Sequence, residues 1–224
     1  MAKTKQIKEQ EKAVTQDRII EWYMNYVLEN GKEPDTVYKF SKDHEISEAE
    51  FYDFFGSFEG LKRGIWERFF EHTLQVMQKS REYDSFSNRE KMLTLYYTFF
   101  EMLTANRSYV LFTLKHEDSI LKNAGQLKGL RRELKNYTAE LIREGNQEQR
   151  SGILKRSKAV FSEAAWVQLV FLLKFWMDDN SPQFESTDVA IEKSVNTAFD
   201  LFENTPLERA LDFGKFLWKE KMSR

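Results

Sequence analysis

The sequence predicts an all-α protein, and three observations carry that prediction. Proline and glycine are scarce, 3 and 9 in 224 residues, which favours long unbroken helices over turn-rich sandwiches. Apolar residues recur at i, i+3, i+4 and i+7 along most of the chain. No alternating strand pattern runs longer than a few residues, and no internal repeat is present. Charged residues at 31% and hydrophobic residues at 41% fit a soluble globular chain long enough to bury a core.

The elements follow in order. Residues 1–14 read as a charged lead-in. Thr15 is the expected N-cap of a first helix whose Ile20, Tyr23, Met24, Val27 and Leu28 share one face. Asn30-Gly31 ends it, with Gly31 suited to the left-handed position. A short second helix starts near Asp35 and buries Val37 and Phe40. Ser47 and Glu50 have capping-box spacing, so a third helix begins at Ser47, with Phe51, Phe54 and Phe55 as its apolar positions. A long helix runs from Ser57 to about Arg81, and Gly64 within it implies close packing against the first helix. Further helices are expected at 87–105, 107–122, 126–148, 158–178, 187–203 and 206–222. Asn180-Ser181-Pro182 and Asn204-Thr205-Pro206 separate the last three.

Bulk chemistry narrows the function. Net charge is -2, so no overall field draws the chain to nucleic acid. Cysteine is absent, which excludes disulfides, thiolate metal sites and cysteine nucleophiles and suits the cytoplasm. The polar start is no secretory signal. The greasiest run, residues 164–177, is too short to span a bilayer and reads as a buried helix, so no transmembrane segment is expected. Only His44, His72 and His116 are histidines, and no metalloprotease, phosphate-loop or serine-hydrolase motif appears. His116-Glu117-Asp118 places neighbours in different directions on a helix, so it makes no metal set. Neither catalysis nor a cofactor is expected.

Three short helices followed by a long one resemble the TetR family of bacterial repressors. The likeness spans roughly residues 18–66. Gly31 stands after the first helix, and Thr36-Val37 opens the second. His44-Glu45-Ile46-Ser47 stands where the family has an Ala-Gly-Val-Ser turn. Phe51-Tyr52-Asp53-Phe54-Phe55 stands where it has Leu-Tyr-x-His-Phe, and Ser57-Phe58-Glu59-Gly60-Leu61 where it has Ser/Asn-Lys-Glu-x-Leu. The resemblance implies a helix-turn-helix head at 15–66 and a ligand-binding, dimerising body at 67–224. It makes Thr36, Lys39, Lys42, Ser47 and Tyr52 the candidate DNA contacts. Departures concern phosphate binding: Phe54 and Phe58 replace customary donors, and the recognition helix opens with Glu48-Ala49-Glu50. Over 18–66 there are six bases against ten acids, a net -4. Duplex affinity rests on neutralised phosphates, so this head forfeits much of that contribution. Lys3, Lys5, Lys8 and Lys12 of the lead-in offset part of it.

In the body, residues 122–158 carry ten bases and four acids, a net +6 that reads either as a solvated surface or as a site for an anionic partner. Aromatic and apolar residues Phe99, Phe100, Leu103, Tyr109, Phe112, Trp166, Phe171 and Phe175 read either as plain core or as the wall of an apolar ligand pocket. The resemblance implies a two-fold homodimer through the last two long helices, with Val167, Val170, Phe171, Ile191, Val195, Phe199 and Phe202 at the interface. Two functions stand: a TetR-like regulator with an acidic, weakly DNA-binding head, or a TetR-fold protein that has lost DNA binding and acts on a lipid, a small apolar ligand or a protein partner.

Overall fold

The computed structural model describes residues 14–115, 125–148 and 158–204. Among them every regular element is helical: α1 (Gln16–Asn30), α2 (Val37–Asp43), α3 (Glu48–Tyr52), α4 (Phe58–Met77), α5 (Asn88–Ala105), α6 (Arg107–Lys115), α7 (Lys128–Glu148), α8 (Lys158–Asp178) and α9 (Glu185–Asn204). Single 3-10 turns lie at Tyr83–Ser85 and Pro182–Phe184. The fold is all-α. The expected helix at 206–222, the end of that at 107–122, and His116 lie outside the described residues.

The local signals act where the chemistry requires. Thr15 Oγ1 accepts from the Arg18 amide at 3.3 Å. Gly31, at φ 65°, donates its N–H to Val27 O and closes α1. Ser47 and Glu50 complete a capping box: the Glu50 carboxylate accepts from the Ser47 amide at 2.8 Å, and Ser47 Oγ accepts from the Glu50 amide at 3.2 Å. α4 ends at Met77 rather than near Arg81, and the chain turns through Ser80 into the first 3-10 turn.

Two compact units divide the chain: residues up to His72 with Met102–Glu133, and Thr73–Glu101 with residues from Leu134 onward. The first is built on aromatic rings. Phe40 is fully buried, and its ring lies 6.4 Å from Tyr23, 6.0 Å from Phe51 and 5.7 Å from Phe58. Ile19, Val27, Leu61 and Ile65 fill in around these rings. Two expectations are corrected here. Leu28 is 44% exposed, because α1 turns that position past the buried face. The close neighbour of Gly64 is Phe55, not the first helix: a Cβ there would meet Phe55 Cε1 at 2.7 Å, so the glycine makes room for that ring. α1 also packs on α6, where Tyr23 and Tyr109 are each buried with no hydrogen-bond partner for the hydroxyl among the described residues. Burial pushes both phenols well above their ordinary pKa, with Glu33 adding to it.

The second unit joins α8 and α9 to parts of α5 and α7. Tyr96, fully buried on α5, donates to Ala165 O at 3.0 Å. Thr138 donates to Ser162 Oγ at 3.2 Å inside the α7–α8 contact. Arg89 reaches Asp200 at 2.7 Å and lies over the Phe199 ring. α8 is apolar nearly all round, and by length and composition alone it would cross a membrane. Its apolar residues are divided between this core (Leu169, Leu172, Leu173, Trp176) and an outward face (Val167, Phe171, Phe175). In the α8–α9 loop, the Asp179 carboxylate accepts from the Ser181 amide and hydroxyl at 2.8 and 2.7 Å, and from the Thr187 amide and hydroxyl at 2.9 and 2.6 Å. Burial alone would raise its pKa; these four bonds outweigh it and hold the carboxyl at about 2.

Two measurements check this account. Glu45 sits at φ 57° in the α2–α3 turn, a conformation that costs a non-glycine residue of the order of 1 kcal/mol. Glu45→Gly is expected to raise unfolding stability by about 0.5–1 kcal/mol in denaturant titration. Asp179 has a folded pKa below its ordinary 3.8, so its contribution is present above that value and is lost as pH falls from 3.8 toward 2. Asp179→Ala is expected to cost about 1–2 kcal/mol at pH 7. Its thermal midpoint should then fall less than the parent's between pH 5 and pH 2.5.

Candidate functional site

The head offers the first candidate surface. Thr36 and Ser47 stand at the N-termini of α2 and α3, and both hydroxyls accept from backbone amides three residues on. Tyr52, at the end of α3, is 50% exposed. Tyr38 is 61% exposed; the sequence reading missed it, although it follows Thr36-Val37 directly and is free of the core periodicity. Phe54 is exposed and carries no donor. Phe58, where a phosphate-binding lysine is customary in the resemblance, is part of the core: its ring lies 5.5 Å from Tyr23 and 5.6 Å from Phe51.

Electrostatics here is set by ion pairs within the head. Asp35 accepts from Lys32 at 3.1 Å and Lys39 at 3.2 Å, and these bonds lower its carboxyl pKa. Lys62 reaches Glu33 at 2.8 Å and Glu59 at 3.4 Å. Glu50 is occupied with Ser47, which lowers its pKa through the backbone and hydroxyl bonds. Among the described residues, Lys42 makes no ion pair and Arg63 bonds only the Glu59 carbonyl. Of the candidate contacts, Thr36, Lys39 and Lys42 share α2 and Ser47 and Tyr52 flank α3; only Lys42 combines a cation with no carboxylate partner.

The α8–α9 face is the second candidate. Val167 and Phe171 are 66% and 53% exposed, and Val170 is half-buried. Ile191, Val195 and Phe199 are instead buried in the chain's own core. The outward face of α9 is displaced by about one residue, onto Ala190, Ser194, Thr197, Ala198 and Leu201. With Ala164, Val167 and Phe171 these residues line an open groove of about 770 Å³. The side chain of Phe202 lies outside the described residues. Gln168 crosses the groove floor, donating to Ser194 Oγ at 2.9 Å.

The aromatic candidates for a ligand wall separate. Phe99 and Phe100 are buried in the second unit, where Phe100 lies 6.1 Å from Trp176, and Trp166 is half-buried. Leu103 and Tyr109 are buried in the first unit, and Phe112 is half-buried there. Phe171 and Phe175 are on the outside, which removes them from any interior wall. Three of the six described bases of the 122–158 stretch form ion pairs among the described residues: Arg132 with Glu67 and Glu133, Lys135 with Glu163, Arg143 with Glu140. Lys122, Arg150, Lys155 and Arg156 lie outside the described residues.

Comparison with known proteins gives two findings. A family model described as the tetracyclin repressor-like C-terminal domain matches residues 91–217. Among solved structures, the fatty acid degradation regulator FadR from Bacillus halodurans aligns with a TM-score of 0.54 and 18% identity, covering 82% of this chain and 96% of that one. At that identity the likeness concerns the fold alone. No curated protein sequence matches.

Proposed function

The chain belongs to the tetracyclin repressor-like family, and from that premise we propose that it is a dimeric transcription regulator with a weakly DNA-binding head. The observation that carries the proposal is a helix-turn-helix head with both N-caps in place, on a chain whose body matches the family. In this reading residues 15–66 are the head and 67–224 the body. Thr36, Ser47, Tyr52, Lys39 and Lys42 meet the duplex, and Lys42 is the cation whose charge is not already offset within the head.

The dimer forms through α8 and α9. Support comes from the shape of the face: a ridge of Val167 and Phe171 runs beside a trough of small residues, Ala190, Ser194, Thr197 and Ala198. A two-fold rotation sets the ridge of one subunit into the trough of the other, which is the self-complementarity an isologous interface requires. The body's effector is a small apolar molecule held against buried aromatics such as Phe99 and Phe100. The structural neighbour named for fatty acid degradation makes an acyl chain the first ligand to test.

The committed lysines favour a second reading, a family member that has lost DNA binding. A mobility-shift titration on random duplex separates the two. Among the described residues of the head, Lys42 and Arg63 make no hydrogen bond to a carboxylate, and over two heads these cations give an expected slope of log K against log salt of about -4. Binding is expected in the micromolar range or weaker at 50 mM salt; absence of any retardation there sinks the regulator. For the interface, Phe171→Glu places a charge in the seam and is expected to lower the dimer's apparent mass by half in sedimentation or light scattering. An unchanged mass removes this face from the assembly.

A further inference from the structure

A cleft of about 320 Å³ opens in the first unit, at the face of α1 that looks toward α4 and the α5–α6 junction. That volume lies at the lower end of small-molecule sites. Its lining comes from three separate parts of the chain: α1, the second half of α4 at Arg68, Phe69 and His72, and Met102 with Asn106. The floor is apolar and soft, made by Met24, Phe69 and Met102. Methionine sulfurs and an aromatic ring suit the apolar body of a ligand and tolerate a nearby cation.

Carboxylates outnumber cations around the cleft: Asp17, Glu21 and Glu71 stand against Arg68. Arg68 is held by Asp17 through two bonds of 2.6 Å and by Glu71 at 2.7 Å, so its single positive charge faces two carboxylates. Glu21 also lines the cleft, one turn along α1 from Asp17, and makes no hydrogen bond or ion pair among the described residues. Asn25 adds an amide that has no partner among the described residues. A negative rim over an apolar floor selects a ligand with a positive head and an apolar body.

The geometry points to this cleft as a binding site for a small amphipathic organic amine. Its ammonium bonds Glu21, with the Asp17 side as electrostatic support, and its apolar body lies across Met24, Phe69 and Met102. The site is separate from the aromatic body and from the α8–α9 groove, and it stands whether or not the head binds DNA.

2-Phenylethylamine is the probe, with phenylacetate as its charge-reversed counterpart, titrated into the full chain by calorimetry and ligand-observed NMR. Saturable amine binding is expected with a dissociation constant on the order of 1 mM, as befits a fragment. Glu21→Gln is expected to weaken it about tenfold. Glu29→Gln, an exposed change of the same charge on α1 but off the cleft, should alter it by less than about twofold. Phenylacetate should not saturate. The proposal is overturned if the amine fails to saturate, if both glutamine variants weaken it equally, or if phenylacetate binds as well. Both variants change exposed residues, and circular dichroism confirms that they fold.

Discussion

The ring of Phe40 is the point on which the head depends. α2 is only seven residues long and α3 five, too short to persist by their own hydrogen bonds. What keeps them helical is burial against a common partner, and Phe40 supplies it to Tyr23 of α1, Phe51 of α3 and Phe58 of α4 together. Edge-to-face ring pairs of this kind add about 0.5–1.5 kcal/mol each beyond the area they bury. The same cluster explains why Phe58 is tolerated at a position where a cation would serve DNA. An ammonium there would have to be drawn out of the ring packing, and the head would exchange stability for affinity.

That exchange extends to the surface. The lysines at the edge of the head are set against carboxylates three to four residues away or across the α1–α2 loop, as with Asp35 and Glu33. Exposed pairs of this kind contribute little to stability, commonly under 1 kcal/mol. Their larger effect is on the field: each neutralises a charge that phosphate would otherwise meet. Glu50 is the clearest case of an acid with a local task. It completes the cap of α3 and complements the helix dipole, so its presence there follows from folding a five-residue helix. Glu48 and Asp53 have no such bonds among the described residues and add to the head's negative charge.

How much of this was legible in the sequence depends on range. Caps at Thr15, Ser47 and Gly31 were readable because their chemistry spans three or four residues. Apart from the end of the 107–122 helix, which lies outside the described residues, the helix boundaries from 88 to 204 followed from periodicity and from the Asn-Ser-Pro break, to within a few residues. What failed was rotation and partnership. Period alone marks Ile191, Val195 and Phe199 as one apolar stripe, but does not say whether that stripe meets its own core or another surface. Gly64 signalled a close approach without naming Phe55 as the neighbour. The cleft beside Glu21 was invisible, since its lining is drawn from three segments and only folding brings them to one place.

α8 shows why such a helix has to be read from its surroundings. A 21-residue helix that is apolar nearly all round satisfies the length and composition of a membrane span. In this fold Leu169, Leu172, Leu173 and Trp176 fill the second unit, and that leaves Val167, Phe171 and Phe175 standing outward at successive turns. Scattered exposed apolar residues need no explanation, but three in register beside a trough of small side chains form a continuous patch. The polar pair at its floor sharpens the point. Gln168 and Ser194 satisfy one another across α8 and α9, and Tyr96 lies within 3.3 Å of the Gln168 carbonyl from beneath. An amide held this way is oriented before any partner arrives, so covering the patch requires no reorganisation of the groups under it. Leaving the face in water forgoes the burial of three large side chains, while the Gln168–Ser194 pair keeps its bonds when the face is covered; Lys193 and Thr197, which also line the groove, are the polar groups a covering surface has to meet.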